Sequence, residues 1–207
     1  IMDRALELGL NFFDTANVYG WKLGEGVTEH IIGRWFAQGG ERRDKVVLAT
    51  KVYGRMGDWP NEQGLSARHI IRACEDSLRR LQTDWIDLYQ FHHVDLRTPW
   101  EEIWQACETL VAQGKVLYVG VSEWTADQIR AGHALAEDLG IHLVSSQPQY
   151  SMLWRVIEAE VVPTCRELGV SQIVWSPLAQ GVLTGKYRPG DRPKGIRRFG
   201  RYFRGDG

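Results

Sequence analysis

Four side chains with complementary chemistry stand at or just after the ends of three predicted strands. Asp14 lies at the end of LNFFDT, and Tyr19 follows Asp14 by five residues. Lys51 ends VVLATK, and His92 ends IDLYQFH. An acid, a phenol, an ammonium and an imidazole from different strands can converge only if those strands run parallel and share one rim, as in a (β/α) barrel. This pattern predicts an enzyme.

These four groups have the chemistry that the reduction of an aldehyde or ketone requires. Such a reaction needs a hydride and a proton for the carbonyl oxygen, and because no side chain supplies hydride, a nicotinamide cofactor must. Tyr19 can donate the proton, although a free phenol has a pKa of about 10. A neighbouring Lys51 ammonium would lower that pKa by stabilising the phenolate. Asp14 would hold Lys51 in place, and His92 can donate a hydrogen bond to the carbonyl oxygen.

Each of these residues also has a structural explanation when taken alone. Asp14 could cap a helix, Tyr19 could anchor a loop, Lys51 could end a strand and His92 could be a satisfied core histidine. Their joint occurrence at successive strand ends favours catalysis. His93 is expected on the opposite face of its strand, because side chains alternate along a strand, and we interpret it as structural.

Composition limits the class of protein. The 207 residues are 43% hydrophobic and 25% charged, which predicts one domain over residues 1–207. The net charge of -1 argues against partners such as nucleic acid or an anionic membrane. Three cysteines without a CxxC pattern favour buried thiols in a cytoplasmic protein over disulfides or a metal site. The partner expected from the candidate catalytic residues is a small-molecule aldehyde or ketone, and the oligomeric state is left open.

The pattern of apolar runs predicts the architecture. Six β-branched runs alternate with amphipathic segments, which is typical of a parallel sheet built from βα units. The predicted strands are 10–16, 46–52, 85–92, 116–122, 142–147 and 172–177. Because a closed barrel needs eight strands, we expect an α/β fold that is an incomplete (β/α)8 TIM barrel. Units two to seven would be present, and strands one and eight missing.

Capping sequences mark several of the predicted helices. Helix N-caps are predicted at Ser66, Thr98 and Thr125, the last two as capping boxes. A final helix is predicted over 156–168, ended by Gly169. The basic segment 187–207 is expected to be a flexible loop on the cofactor side, able to contact phosphate.

Six motifs in order carry a family resemblance: FFDTANVYG, ATKVYG, DLYQFH, GKVLYVGVSEW, SSQPQY and WSPLAQGVLTGKY. With them the chain, up to about Tyr187, resembles the aldo-keto reductase superfamily, and within it the bacterial reductases related to potassium-channel β subunits. The resemblance implies NADP(H)-dependent carbonyl reduction, with the four roles above at Asp14, Tyr19, Lys51 and His92. The channel subunits carry asparagine at the position of His92, so histidine favours a working reductase. The alternative is a cofactor-sensing regulatory subunit with little turnover.

The same resemblance implies a set of cofactor contacts on later strand ends. The nicotinamide carboxamide side would be bound by Ser122, Glu123 and Gln147, and the diphosphate side by Trp175, Ser176, Pro177, Leu178, Gly181 and Lys186. Tyr150 would stack on the nicotinamide. Glu123 stands where many relatives have asparagine, and a carboxylate can accept from the carboxamide NH2 group but cannot donate to its oxygen.

Other interpretations stay open at this point. Pro177 and Leu178 could simply end a strand, and Gln147 could be a buried amide bonded to backbone. Neither a GxGxxG fingerprint nor spaced metal ligands occur, which argues against a Rossmann dinucleotide fold and against a metal-dependent hydrolase. Candidate residues for the wall of the substrate pocket are Trp21, Tyr53 and Trp124, but the substrate itself is not determined.

Overall fold

Six parallel strands pair in the order in which they occur in the chain, in a computed structural model that describes residues 1–20 and 23–187. The strands are β1 (Phe12–Asp14), β2 (Val47–Val52), β3 (Ile86–Phe91), β4 (Val116–Ser122), β5 (Leu143–Gln147) and β6 (Ser171–Gln172). A sheet in sequential order with helical crossovers is the topology of a (β/α) barrel. The predicted incomplete barrel is thus confirmed. The expected loop at 187–207 lies outside the described residues, apart from Tyr187.

One helix precedes β1, and further helices connect the successive strands. They are α1 (Met2–Glu7), α2 (Val27–Phe36), α3 (Ala67–Leu81), α4 (Trp100–Ala112), α5 (Ala126–Asp138) and α6 (Val161–Glu167), with short 3-10 segments at Val156–Glu158 and Ala179–Thr184. None of the helices in the described part of the chain has the length and apolarity needed to cross a membrane.

Two of the three predicted helix caps are confirmed. The Ser66 hydroxyl accepts from the backbone at the start of α3, and Thr125 forms a reciprocal capping box at the start of α5. The box predicted at Thr98 is wrong, because α4 has Pro99 at its N-cap and no side-chain cap. The Thr98 hydroxyl instead donates to the carboxylate of the buried Asp95 at 3.4 Å.

The helix predicted over 156–168 is interrupted. A 3-10 turn occupies Val156–Glu158, and α6 begins only at Val161. Pro163 explains the break, because its ring would collide with the carbonyl of residue 159 if one helix continued through it. The last strand is likewise shorter than predicted. Beyond the end of β6, the Trp175 backbone N–H still donates to the Pro148 carbonyl oxygen at 3.1 Å. The extended backbone then ends at Ser176, which has a φ of 54°.

The two faces of the sheet have different character. The outer face packs on the helices through apolar side chains, including Leu48, Val52, Tyr89, Phe91, Val119 and Val121 against Ile70, Leu78, Trp104, Leu110 and Ile129. The inner face is polar towards the carboxyl ends of the strands: Lys51 is paired with Gln90, Gln90 with Gly120, and Gly120 with Ser145. A side chain at Gly120 would collide with Ser145 and lie tightly against Gln90, which explains the glycine.

Candidate functional site

A cavity of about 800 Å³ opens where the strands end. Its lining brings together seven of the residues predicted from sequence with three that were not in that set: Asp14, Tyr19, His92, His93, Ser122, Glu123, Gln147, Gln149, Trp154 and Trp175. Because the strands are parallel, their carboxyl ends all reach this rim, and side chains far apart in sequence share one cavity.

Lys51 and Asp14 form an ion pair at the base of this cavity. Lys51 Nζ donates to Asp14 Oδ2 at 2.6 Å and to the Thr15 carbonyl oxygen at 2.8 Å. The Lys51 side chain is 0% exposed, and burial lowers the pKa of its ammonium, opposed by the charge of Asp14. The other Asp14 oxygen accepts from Gln90 Nε2 at 3.0 Å. The carboxylate is therefore held from two sides and holds Lys51.

Tyr19 lies between this ammonium and His92. Lys51 Nζ is 5.1 Å from the centroid of the Tyr19 ring, and the His92 ring meets the same phenol edge-on at 5.7 Å. Tyr19 is 38% exposed, so it borders the open cavity while Lys51 lies beneath. Lys51 and His92 therefore both contact the phenol ring at the edge of the cavity.

His92 is held at the end of β3 as a neutral imidazole. Burial lowers its pKa to about 4, and the charges of Lys51 and His93 act in the same direction. Its backbone N–H donates to the Val52 carbonyl oxygen at 2.9 Å, which fixes it against β2. A neutral imidazole in the cavity wall can donate one N–H to a carbonyl oxygen.

His93 does not lie on the opposite face, and that expectation is wrong. Its ring stacks on His92, with centroids 5.3 Å apart and planes 5° apart, and it lines the same cavity. Because β3 ends at Phe91, the alternation of side chains along a strand no longer applies to the two histidines. Tyr53 packs edge-on against His93 at 5.4 Å, behind the cavity wall.

Glu123 connects the ends of β4 and β6. Its Oε1 accepts from Trp175 Nε1 at 2.7 Å and from the Gln149 backbone N–H at 2.8 Å. Nearby, the Ser122 hydroxyl donates to the Gln147 carbonyl oxygen at 2.7 Å. These contacts join five residues of the cavity wall, and the two made by Glu123 occupy one oxygen of its carboxylate.

Trp175 lines this cavity, but the other five residues predicted for the diphosphate side, which follow it in the chain, do not. They are Ser176, Pro177, Leu178, Gly181 and Lys186. Pro177 lines a second cavity of about 460 Å³. The Lys186 side chain lies against Gly181, and its Nζ is 4.9 Å from the centroid of the Tyr187 ring. Their role in binding stays a prediction.

Three aromatic residues named from sequence, Tyr53, Tyr150 and Trp124, do not line the main cavity. Tyr150 lines the second cavity and donates its hydroxyl to Glu158 Oε1 at 2.6 Å. Trp124 is only 3% exposed and packs on Phe91 and Trp100 in the core. Trp21 lies outside the described residues.

Sequence reasoning missed His93, Gln149 and Trp154 as members of the site. Gln149 carried a usable signal, since it lies two residues beyond Gln147 and continues the same alternation. Trp154 carried none, because it comes from an irregular segment after β5. Among residues 1–20 and 23–187, no cluster of three or more potential metal ligands occurs.

Comparison with known proteins agrees with the motifs. The profile of the Aldo/keto reductase family matches residues 1–198. The chain is 54% identical over 191 residues to the uncharacterized oxidoreductase YrpG of Bacillus subtilis (strain 168), covering 90% of this chain and 59% of that protein. It is 39% identical over 199 residues to a probable voltage-gated potassium channel subunit beta of Arabidopsis thaliana, covering 95% of this chain and 59% of that protein.

A probable voltage-gated potassium channel subunit beta of Oryza sativa subsp. japonica is 37% identical over 195 residues, which cover 93% of this chain and 58% of that protein. The chain thus spans a little under three fifths of the length of these relatives. A bacterial oxidoreductase and channel β subunits both occur among the matches, as the motifs predicted. With a family profile that covers nearly all of its residues, the chain belongs to the aldo/keto reductase family.

Proposed function

We propose that this protein is an NADP(H)-dependent reductase of small-molecule aldehydes or ketones. The observation that carries the proposal is the buried Lys51–Asp14 pair beside Tyr19, in a cavity that His92 also lines. A phenol, an adjacent ammonium and a neutral imidazole are what the protonation of a carbonyl oxygen requires.

In this reaction Tyr19 donates the proton to the carbonyl oxygen. The Lys51 ammonium stabilises the phenolate that remains, and Asp14 keeps that ammonium in position through the 2.6 Å contact. His92 donates a hydrogen bond to the same carbonyl oxygen, which orients the substrate and stabilises the developing charge. Because burial keeps His92 neutral, it does not compete with Tyr19 as the acid.

The cofactor would be held by the later strand ends. A nicotinamide bound there would supply the hydride. The wall offers what a flat ring with a carboxamide needs, namely the Gln147 amide, the Ser122 hydroxyl and the Glu123 carboxylate beside the Trp175 indole. The diphosphate side is assigned to Trp175, Ser176, Pro177, Leu178, Gly181 and Lys186. The choice of NADP(H) follows the resemblance to the family.

The state of the thiols supports a cytoplasmic location. All three cysteines, Cys74, Cys107 and Cys165, are free and buried. Burial raises the pKa of the Cys74 thiol to about 12, so it is poorly reactive. Free thiols of this kind suit a reducing compartment, and we assign the protein to the cytoplasm.

A second function is a cofactor-sensing regulatory subunit with little turnover. It is favoured by the similarity to proteins named as potassium channel β subunits. His92 favours the reductase, because an imidazole in the cavity wall can activate a carbonyl. The two functions predict different rates of NADPH oxidation in a single turnover.

The decisive experiment mixes the full-length protein, loaded with NADPH, with a panel of aldehydes and ketones and follows cofactor oxidation in a single turnover. A reductase oxidises the cofactor at a rate that Tyr19→Phe lowers by roughly two to four orders of magnitude, with little change in NADPH affinity. Tyr118→Phe is the matched control, since Tyr118 lies outside the cavity lining. Slow oxidation that is unaffected by Tyr19→Phe would favour the sensor and contradict the reductase.

A further inference from the structure

The first turn of α2 contacts the loop that carries Tyr19. Thr28, the second residue of α2, donates its backbone N–H to the Tyr19 carbonyl oxygen at 3.2 Å. The Thr28 hydroxyl donates to the same oxygen at 3.3 Å. One threonine therefore holds the backbone of Tyr19 through two donors.

The same hydroxyl connects this loop to Lys51. Thr28 Oγ1 lies 2.7 Å from Thr15 Oγ1, and the Thr15 carbonyl oxygen accepts from Lys51 Nζ at 2.8 Å. Either hydroxyl can be the donor in this pair, and when the Thr28 hydroxyl donates its one hydrogen to Tyr19, the Thr15 hydroxyl donates to Thr28. Three hydrogen bonds thus form a connected set: one links the Tyr19 carbonyl to Thr28, one links Thr28 to the Thr15 hydroxyl, and one links the Thr15 carbonyl to the Lys51 ammonium.

Both ends of this set are anchored. Thr15 is 2% exposed, and its backbone N–H donates to the Ala49 carbonyl oxygen of β2 at 2.9 Å. On the other side, Gly20 directly follows Tyr19, and a side chain at Gly20 would collide with Val27 at the start of α2. The loop therefore lies directly against the first turn of the helix.

The first turn of α2 is itself fixed to the sheet. Glu29, next to Thr28, is fully buried, and its carboxylate accepts from Thr50 Oγ1 at 2.6 Å and from Arg80 Nε at 2.7 Å. Thr50 immediately precedes Lys51 in β2. Thr28 is consequently held at a constant position relative to the strand that carries the ammonium.

We propose that Thr28 is a positioning residue that sets the separation between Tyr19 and Lys51. The inference rests on the proposed roles of these two residues in carbonyl reduction. The stabilisation of a phenolate by an ammonium falls as their separation grows, and a misplacement of about 1 Å can cost about a hundredfold in rate. Thr28 acts on the rate through Tyr19 without touching the substrate.

The test compares Thr28→Val and Thr28→Ser in the full-length protein. Thr28→Val keeps the shape of the side chain and removes the hydroxyl, so we expect kcat to fall about ten- to a hundredfold, with the KM for NADPH little changed. Thr28→Ser keeps the hydroxyl and should restore most of kcat. Thr109→Val is the matched control, because the hydroxyl of that exposed threonine donates to the Gln105 carbonyl oxygen within α4. If Thr28→Val is insoluble, Thr28→Ala removes the same hydroxyl and is held to the same expectations.

A double-mutant comparison separates this inference from the proposed function. If Thr28 acts through Tyr19, Thr28→Val should lower the single-turnover rate in the wild-type background and leave it unchanged in Tyr19→Phe. Equal loss in both backgrounds would overturn the positioning role, and so would a normal kcat in Thr28→Val while Tyr19→Phe is inactive. Near-normal turnover in Tyr19→Phe would instead overturn the proposed function.

Discussion

Lys51 Nζ lies 2.6 Å from Asp14 Oδ2, across the pairing of β1 with β2. The lysine is fully buried and the aspartate is 29% exposed, so the charge pair joins the interior of the sheet to the floor of the cavity. A buried ammonium without a partner is strongly unfavourable. Asp14 thus makes a charged Lys51 tolerable at a position where burial alone would favour its neutral form.

Replacing Lys51 by methionine should remove that charge while keeping most of the side-chain volume. We expect turnover to fall, because the phenolate left on Tyr19 loses its stabilising ammonium. The alkaline limb of the kcat profile should move to higher pH for the same reason. Lys115→Met, which removes a lysine paired with Glu75 on the surface, is the control. An unchanged pH–rate profile in Lys51→Met would contradict this role.

His92→Asn should separate substrate orientation from proton donation. We expect a lower kcat and a higher KM for the carbonyl substrate, because a hydrogen bond to its oxygen is weakened, with NADPH affinity preserved. The measurement is steady-state kinetics on the full-length protein alongside NADPH titration. If His92→Ala abolished turnover while Tyr19→Phe did not, the two roles would have to be exchanged.

Stability should depend on the protonation of His92. Its pKa is lowered from 6.5 to about 4 in the folded protein, so the unfolded chain binds the additional proton first as the pH falls. The folded state, which holds His92 neutral, therefore keeps its full stability above about pH 6.5 and loses stability progressively as the pH falls towards 4. Urea unfolding of wild type and His92→Asn across this range should show a smaller loss in the variant. His142→Asn, at an exposed position, is the control, and identical pH dependence of wild type and His92→Asn would contradict the prediction.

Glu29→Ala should be strongly destabilising. It removes a fully buried carboxylate and leaves Arg80, whose side chain is 12% exposed, without its partner. Breaking such a buried pair costs about 3–5 kcal/mol of unfolding free energy. The surface pair of Lys115 with Glu75 provides the comparison, and Glu75→Ala should cost about 0–1 kcal/mol. Equal unfolding free energies for the two variants would show that the Glu29 network is not an anchor.

The positions of Asp14, Lys51 and His92 at one rim could be predicted from the sequence. Each follows an apolar run of strand length, and the spacing of such runs requires helical crossovers and hence parallel strands. Their carboxyl ends must then meet at the same edge. The pairing of Lys51 with Asp14 and the approach of Tyr19 follow from that geometry and from charge.

Tertiary structure alone determined the directions of the side chains that lie beyond the ends of the regular strands. His93 turned into the cavity because β3 ended one residue earlier than predicted, and Tyr150 turned away to donate to Glu158. The contact of Glu123 with Trp175 joins residues 52 positions apart. Strand and helix periodicity determines which face a side chain takes only inside an element. In loops, a side chain's direction is set by the hydrogen bonds and packing it finds in three dimensions, and these depend on segments distant in sequence.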